Sequence, residues 1–425
     1  MGTLLVFIAV ATLSVLASNQ RLLQAGRFFN LAQLAASGLI FLVLGAALGP
    51  GALGLLNSLE LEGARPILAL GLGLAGLLVG LNLEPGLLRA LPARVWLASG
   101  AQSGAAFLAV AVPVAVVFFA ATNLSAPVAL GAAAVLGGAA AVSSSHFAVL
   151  WFRTGRLDRL RGVGISLVAI LDDLTGIAVL AVALVLGADP SISVSAGLVL
   201  LAVLIGILCG ALTAYLIQDA RGAELTAILL GAVGLVSGAA AFLKVSALIA
   251  GLACGATMAF IGGRSVALAS RALGRTERPV YLALLFLVGA HLTLGDWFAW
   301  IILPVFVALR FLGKLVGGRL AIRAAAGSLP LPPEPGYALI AQGGVSMCLL
   351  IEYVVLVGGP TSQLIFNVGI LAAVVNEVLG SRAFHRSIGP HYRRRRGGGS
   401  APPSSDSAED SPEAPSEAPA PEVRA

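Results

Sequence analysis

Apolar runs near twenty residues long recur along this chain, and nothing else in it narrows the fold so far. Thirteen can be marked, near 3–17, 32–55, 66–82, 95–121, 127–151, 162–187, 193–217, 223–242, 244–262, 279–297, 299–322, 337–357 and 362–381. A run of that length crosses the hydrocarbon of a bilayer as a helix, because a helix satisfies its backbone within the segment. The connections are too brief for a soluble domain. The chain is therefore read as an all-α polytopic membrane protein of about thirteen transmembrane helices, in keeping with 58% hydrophobic and 11% charged residues. The first run lacks a basic leader and a small-residue cleavage site, so it is expected to remain as a helix. Cys209, Cys254 and Cys348 fall inside apolar runs, so neither a disulfide framework nor a metal cluster is expected.

A formal charge of +6 invites a nucleic-acid reading, which the placement of the arginines refutes. With thirteen spans, one set of loops carries almost all of them, from Arg21 and Arg27 through Arg153 and Arg156 to Arg319 and Arg323. The opposite set has Arg65 and, at the edge of a span, Lys244. That bias places the N-terminus outside and the C-terminus in the cytoplasm, in a multi-pass protein of the cytoplasmic membrane. The run Arg393–Arg396 is expected to meet anionic headgroups of the bilayer, and the Pro, Ala, Ser and acid-rich tail beyond it cannot bury a core.

Two adjacent carboxylates, Asp172 and Asp173, sit in the middle of the sixth span, GVGISLVAILDDLTGIAVLAVALVLG. One carboxylate at that depth costs about 2.5–3.5 kcal/mol on insertion scales, which makes a pair hard to explain as decoration. Neighbouring helical residues point about 100° apart, so one acid can face a cavity while the other faces a neighbouring helix. The plainer reading is a pair held by buried donors with no transport role. Arg310 and Lys314 lie four residues apart in the eleventh span and share a face. Arg310 is the expected charge partner of one aspartate, whereas Lys314 is expected to reach towards the cytoplasmic surface.

The second half of the chain repeats the first faintly. VAILDDLTG aligns without gaps to AAVVNEVLG, setting Asp172 and Asp173 against Asn376 and Glu377. The preceding span of each half carries a glycine pair, Gly137–Gly138 and Gly343–Gly344, followed in each case by serine. Spans six and thirteen are seven apart and so cross in opposite directions, which makes spans four to six and eleven to thirteen an inverted repeat. The glycine pairs are where spans five and twelve are expected to break and cross, with close helix packing as the blander alternative. Freed carbonyls and Ser143, Ser144 and Ser145 would then ligate a desolvated cation beside Asp173. His146 is read either as a pH-sensing group or as a structural histidine. Glu377 is expected to stabilise the crossing, and Glu352 is read either as a second protonatable site or as a structural carboxylate.

These segments resemble the monovalent cation:proton antiporters of the second family, the sodium–proton and potassium–proton exchangers. FLVLGAALGPGALGLL, GLAGLLVGLNLEPGLLRAL, AAAVSSSHFAVLWF with GISLVAILDDLTGIAVL, and YLALLFLVGAHLTLGDW follow that family's order over roughly residues 30 to 380. The resemblance implies a thirteen-helix homodimer in which spans four to six and eleven to thirteen move against a dimerisation panel. It implies that Asp173 binds the cation and the proton in competition, and that Asp172 pairs with the basic residue of span eleven. Family members with two aspartates are associated with electrogenic exchange. Three positions depart from the pattern: Asn82 in the third span, Arg310 where electrogenic members have lysine, and QGGVS at Gln342 to Ser346 where an acid is usual. As a second protonatable site, Glu352 would offset the missing acid at Val345.

The expectation is a secondary antiporter, not an enzyme and without a cofactor, exchanging protons for Na⁺ or K⁺. Panel helices occupy 1–92 and 219–298, core helices 93–190 and 299–386, a linking helix 191–218, and the basic run with its tail 387–425. The alternatives are a carrier of an organic anion with the same fold, and a membrane pH sensor or scaffold that transports nothing.

Overall fold

The computed structural model describes residues 12–14, 38–121, 124–144, 159–187, 192–263, 265–293, 295 and 297–387. After a helical turn at 12–14 come α1 (Leu39–Leu48), α2 (Ser58–Gly63), α3 (Arg65–Leu81), α4 (Pro85–Ala90) and α5 (Ala93–Ala121). They are followed by α6 (Ala126–Ala141), α7 (Arg159–Gly187), α8 (Ile192–Leu216), α9 (Gly222–Leu243) and α10 (Ala247–Ile261). The last five are α11 (Ser265–Ala290), α12 (Trp297–Ala325), α13 (Pro335–Ala338), α14 (Gly344–Val357) and α15 (Gly359–Ser387).

Six of these, α5, α7, α8, α9, α12 and the first part of α15, are long and apolar enough to cross a membrane. Five more, α1, α3, α6, α10 and α14, are apolar but shorter. With α11, each predicted span from the second to the thirteenth has a helix; the first lies almost wholly outside the described residues. The α11 helix begins at Ser265, well before the apolar run at 279, because the segment carrying Arg271 and Arg278 is helical too. It ends at Ala290, short of the predicted boundary at 297, where α12 starts. Arg393–Arg396 and the tail fall outside the described residues.

Two sets of packing contacts organise the helices. The repeat halves meet through α5 on α12, with α5 and α7 on α6 packed within the first half and α14 and α12 on α15 within the second. The other set is α3 on α10, α8 on α10, α1 on α11 and α9 on α3. Where α3 meets α10 the backbones touch: a Cβ on Gly76 would stand 2.1 Å from the Leu248 carbonyl oxygen, and one on Gly251 would stand 2.1 Å from that of Gly73. Small residues in membrane helices permit this approach, and dispersion between close backbones replaces the hydrophobic drive that lipid removes. Leu77, Leu248, Phe286 and Phe306 lie in the main apolar core.

Candidate functional site

Two of the short helices, α6 and α14, end at unwound segments inside the bundle. Sixteen residues in α6 and fourteen in α14 rise only about 21–24 Å, short of a hydrocarbon thickness near 30 Å. The α6 helix passes straight through Gly137 and Gly138, correcting the expectation that this pair marks its break. Their missing side chains admit Phe107 and Ala111 on one side and Val179 on the other, the close-packing role. The chain turns extended at Val142 instead, with φ −63° and ψ 139°. In the second half the break runs from Leu339 to Gly343, and Gly344 opens α14. The Ser144 N–H donates to the Ala341 carbonyl at 2.9 Å, and Gly343 lies against the Ser143 carbonyl, so the two extended segments cross.

Unwinding at that depth frees carbonyls that no water can serve. The two cations of α12 serve them. Arg310 donates one guanidinium nitrogen to the Ile340 carbonyl and another to that of Val142, at 2.9 Å for the latter. Lys314 Nζ donates to the Ala141 carbonyl, to Ser143 Oγ at 2.6 Å and to Asp172 Oδ2 at 3.5 Å. Both residues are fully buried. Two expectations are corrected here. The ion-pair partner of Asp172 is Lys314, and Arg310 instead holds both breaks together by their carbonyls. Lys314 does not reach for the surface, because the end of α6 offers it negative carbonyl ends closer than any headgroup.

Asp172 is also fully buried, accepting from Ser143 Oγ at 2.7 Å and from Ser99 Oγ at 3.4 Å. Its repeat mate Asn376 heads a comparable chain of bonds. Asn376 Nδ2 donates to Gln342 Oε1 at 3.0 Å, Gln342 donates to Ser346 at 2.5 Å, and Ser346 donates to the Ala139 carbonyl at 3.1 Å. In each half the long helix thus holds the unwound segment of its own repeat. Asp173, one residue on, is only partly buried and turns the other way. It lines a cavity of about 390 Å³ with Ser143, Ser144, Gly343, Gly344 and Glu377. Asn82, Glu277, Tyr281 and Gln342 complete its polar wall, and these positions lie towards the arginine-rich loops. Across the repeat, Asp173 and Glu377 occupy equivalent places on the one cavity.

The structure therefore brings together Asp172, Asp173, Ser143, Ser144, Gly343, Gly344, Arg310, Lys314, Asn376 and Glu377. Glu352 is elsewhere: its carboxylate accepts from Leu248 N at 3.1 Å, at the start of α10. Ser145 and His146 lie outside the described residues. Sequence reasoning did not single out Ser99, and it gave Gln342 and Tyr281 no role of their own. Ser99, Gln102 and Ser103 recur at helical spacing in an otherwise apolar span, a polar stripe that marks the buried face of α5.

No family model matches the chain, and no curated relative does. Among solved structures, it is similar to the sodium proton antiporter MjNhaP1 from Methanocaldococcus jannaschii at pH 8, with a TM-score of 0.60 and 15% identity over 91% of this chain and 100% of that one. An electron-microscopy map of the same antiporter is matched at 18% identity and TM-score 0.48, over 81% and 87% of the two chains. The chain has the fold of that antiporter.

Proposed function

We propose that this protein is a secondary antiporter of the cytoplasmic membrane that exchanges protons for a monovalent cation, and that it belongs with the monovalent cation:proton antiporters. The observation that carries the reading is the division of labour between the two aspartates. Asp172 is neutralised by Lys314 and two serine hydroxyls, while Asp173 faces a polar cavity beside the crossed breaks. A carboxylate that holds either a proton or a desolvated cation performs exchange by competition, since the two cannot occupy it together. The fold shared with a sodium proton antiporter supports this reading and makes Na⁺ the first ion to test, ahead of K⁺.

The pairing with Lys314 bears on stoichiometry. A guanidinium does not release its proton at physiological pH, whereas a buried ammonium can. Lysine against Asp172 therefore favours electrogenic exchange, with the ion pair made and broken in each cycle. Movement of the repeat halves against the remaining helices, in a homodimer, is the accompanying mechanism. The organic-anion reading is disfavoured because Arg310 and Lys314 are both spent on backbone carbonyls and Asp172.

The deciding experiment is the collapse of a pH gradient in proteoliposomes on addition of Na⁺, Li⁺ or K⁺. Wild type should collapse it with at least one ion, Asp173→Asn with none, and an imposed membrane potential should change the wild-type rate. No collapse by wild type with any of the three would sink the proposal.

A further inference from the structure

On the face opposite the arginine-rich loops, a second cavity of about 300 Å³ lies between α3, α9, α10 and α14. Arg65, Lys244 and Glu352 line it. Glu352 comes from a repeat helix but reaches the other set of helices, accepting from Leu248 N at the first turn of α10. Ser246 and the Ala247 N–H lie beside the same carboxylate. The residue is 2% exposed, yet its second oxygen, Oε2, has no hydrogen-bond partner. A buried carboxylate oxygen left without a donor on a cavity wall is costly unless something binds it.

We propose that Glu352 is a second proton site, reached from the arginine-poor face, whose ionised carboxylate clamps the repeat helices to α10. Its place in the cycle rests on the exchange reading; its existence as a proton site does not. The charged residues lining the same cavity are Arg65 of α3 and Lys244, at the left-handed turn between α9 and α10. Cys348 is the titratable neighbour on α14 itself. Among the described residues, no acid, base or histidine of α6, α7, α11 or α15 lines this cavity. Among the described residues, no group of three or more His, Cys, Asp or Glu could hold a metal ion here. A proton adds to Oε2 without displacing the Leu248 N–H from Oε1.

Ionised, the carboxylate caps the positive end of α10 through a charge-assisted bond. Protonation removes that charge and weakens the tie. A second tie lies at the same end of the molecule: Gln363 and Asn367 of α15 bond His291 and Thr293, which follow α11. Together the two ties close the arginine-poor side while the Asp173 cavity lies on the other. Acid at the arginine-poor face releases the first of them and admits the movement that turns Asp173 towards that face.

The test is infrared difference spectroscopy of the full chain in lipid on acidification, with transport read in parallel. A protonated-carboxyl band should appear in wild type, vanish in Glu352→Gln and persist in Asp173→Asn. In proteoliposomes, acidifying the arginine-poor side should speed wild-type exchange by up to about tenfold more per pH unit than it speeds Glu352→Gln, which retains only the pH response of proton competition at Asp173, with the KM for the cation within about twofold. Should Glu352→Gln fail to fold, Glu352→Asp should shift the band. A band that is neither lost in the first variant nor shifted in the second overturns the proposal, as does an acid response of exchange as steep in Glu352→Gln as in wild type. A band lost in Glu352→Gln from a protein that exchanges no cation would leave the proton site standing and remove the antiporter reading instead.

Discussion

Lys314 and Asp172 are fully buried 3.5 Å apart, and what each contributes depends on the other being present. Truncating one partner leaves the second charged and unpaired, at a cost of about 3–5 kcal/mol, whereas replacing both by apolar or neutral groups of similar volume costs far less. Lys314→Ala should therefore lower the midpoint of thermal unfolding in detergent much more than Lys314→Met combined with Asp172→Asn. Equal losses in the two would show that the ion pair does not couple them. Ser143→Ala should cost about 1.5–3 kcal/mol, because its hydroxyl serves a charged acceptor and a charged donor at once. The Asp pair, Ser143, Ser144 and the two cations were all legible as residues out of place in apolar runs; Ser99 was not. Which cation met which acid was not, since Arg310 and Lys314 share a helical face and differ by one turn. The carbonyls freed at Val142 and Ile340 decided it, by taking the arginine.

At the scale of elements, helices here meet either through side chains or through bare backbone. The α3–α10 contact is of the second kind, with Gly73, Gly76, Gly251 and Gly255 stacked along it. A Cβ at Gly76 has the Leu248 carbonyl in its way, so Gly76→Val should destabilise by about 1–3 kcal/mol or leave the helices splayed. Gly234→Ala on α9 is the control, since nothing lies within 4 Å of a Cβ there. Monodispersity and melting in detergent report the difference, and equal behaviour of the two variants would refute close packing at Gly76. The glycine pair at 137–138 carries the same lesson. From its spacing alone, a glycine that admits a neighbour and a glycine that lets a helix break look alike. Only Phe107, Ala111 and Val179 against those two positions separate the cases.

For the molecule as a whole, the Asp173 cavity and the Glu352 cavity lie towards opposite faces, each between a repeat helix and the other set. With Cys209, Cys254 and Cys348 removed, Asn82→Cys should react with an impermeant thiol reagent from the side that carries the C-terminus, and Lys244→Cys from the other. Reaction of both from one side would contradict the arginine-derived topology. Much of this architecture is present in the sequence. Spans of about twenty apolar residues leave the backbone no choice but helix, arginine segregation gives the expected topology, and the echo of Asp172–Asp173 in Asn376–Glu377 identifies the repeat. These are properties of period, length and charge, which depend on no distant neighbour. The position of the first break, the pairing of Lys314 and not Arg310 with Asp172, and the place of Glu352 at the start of α10 came from the tertiary structure alone. Each is settled by which unpaired backbone group lies within reach once the helices have packed, and a chain read residue by residue holds no record of that distance.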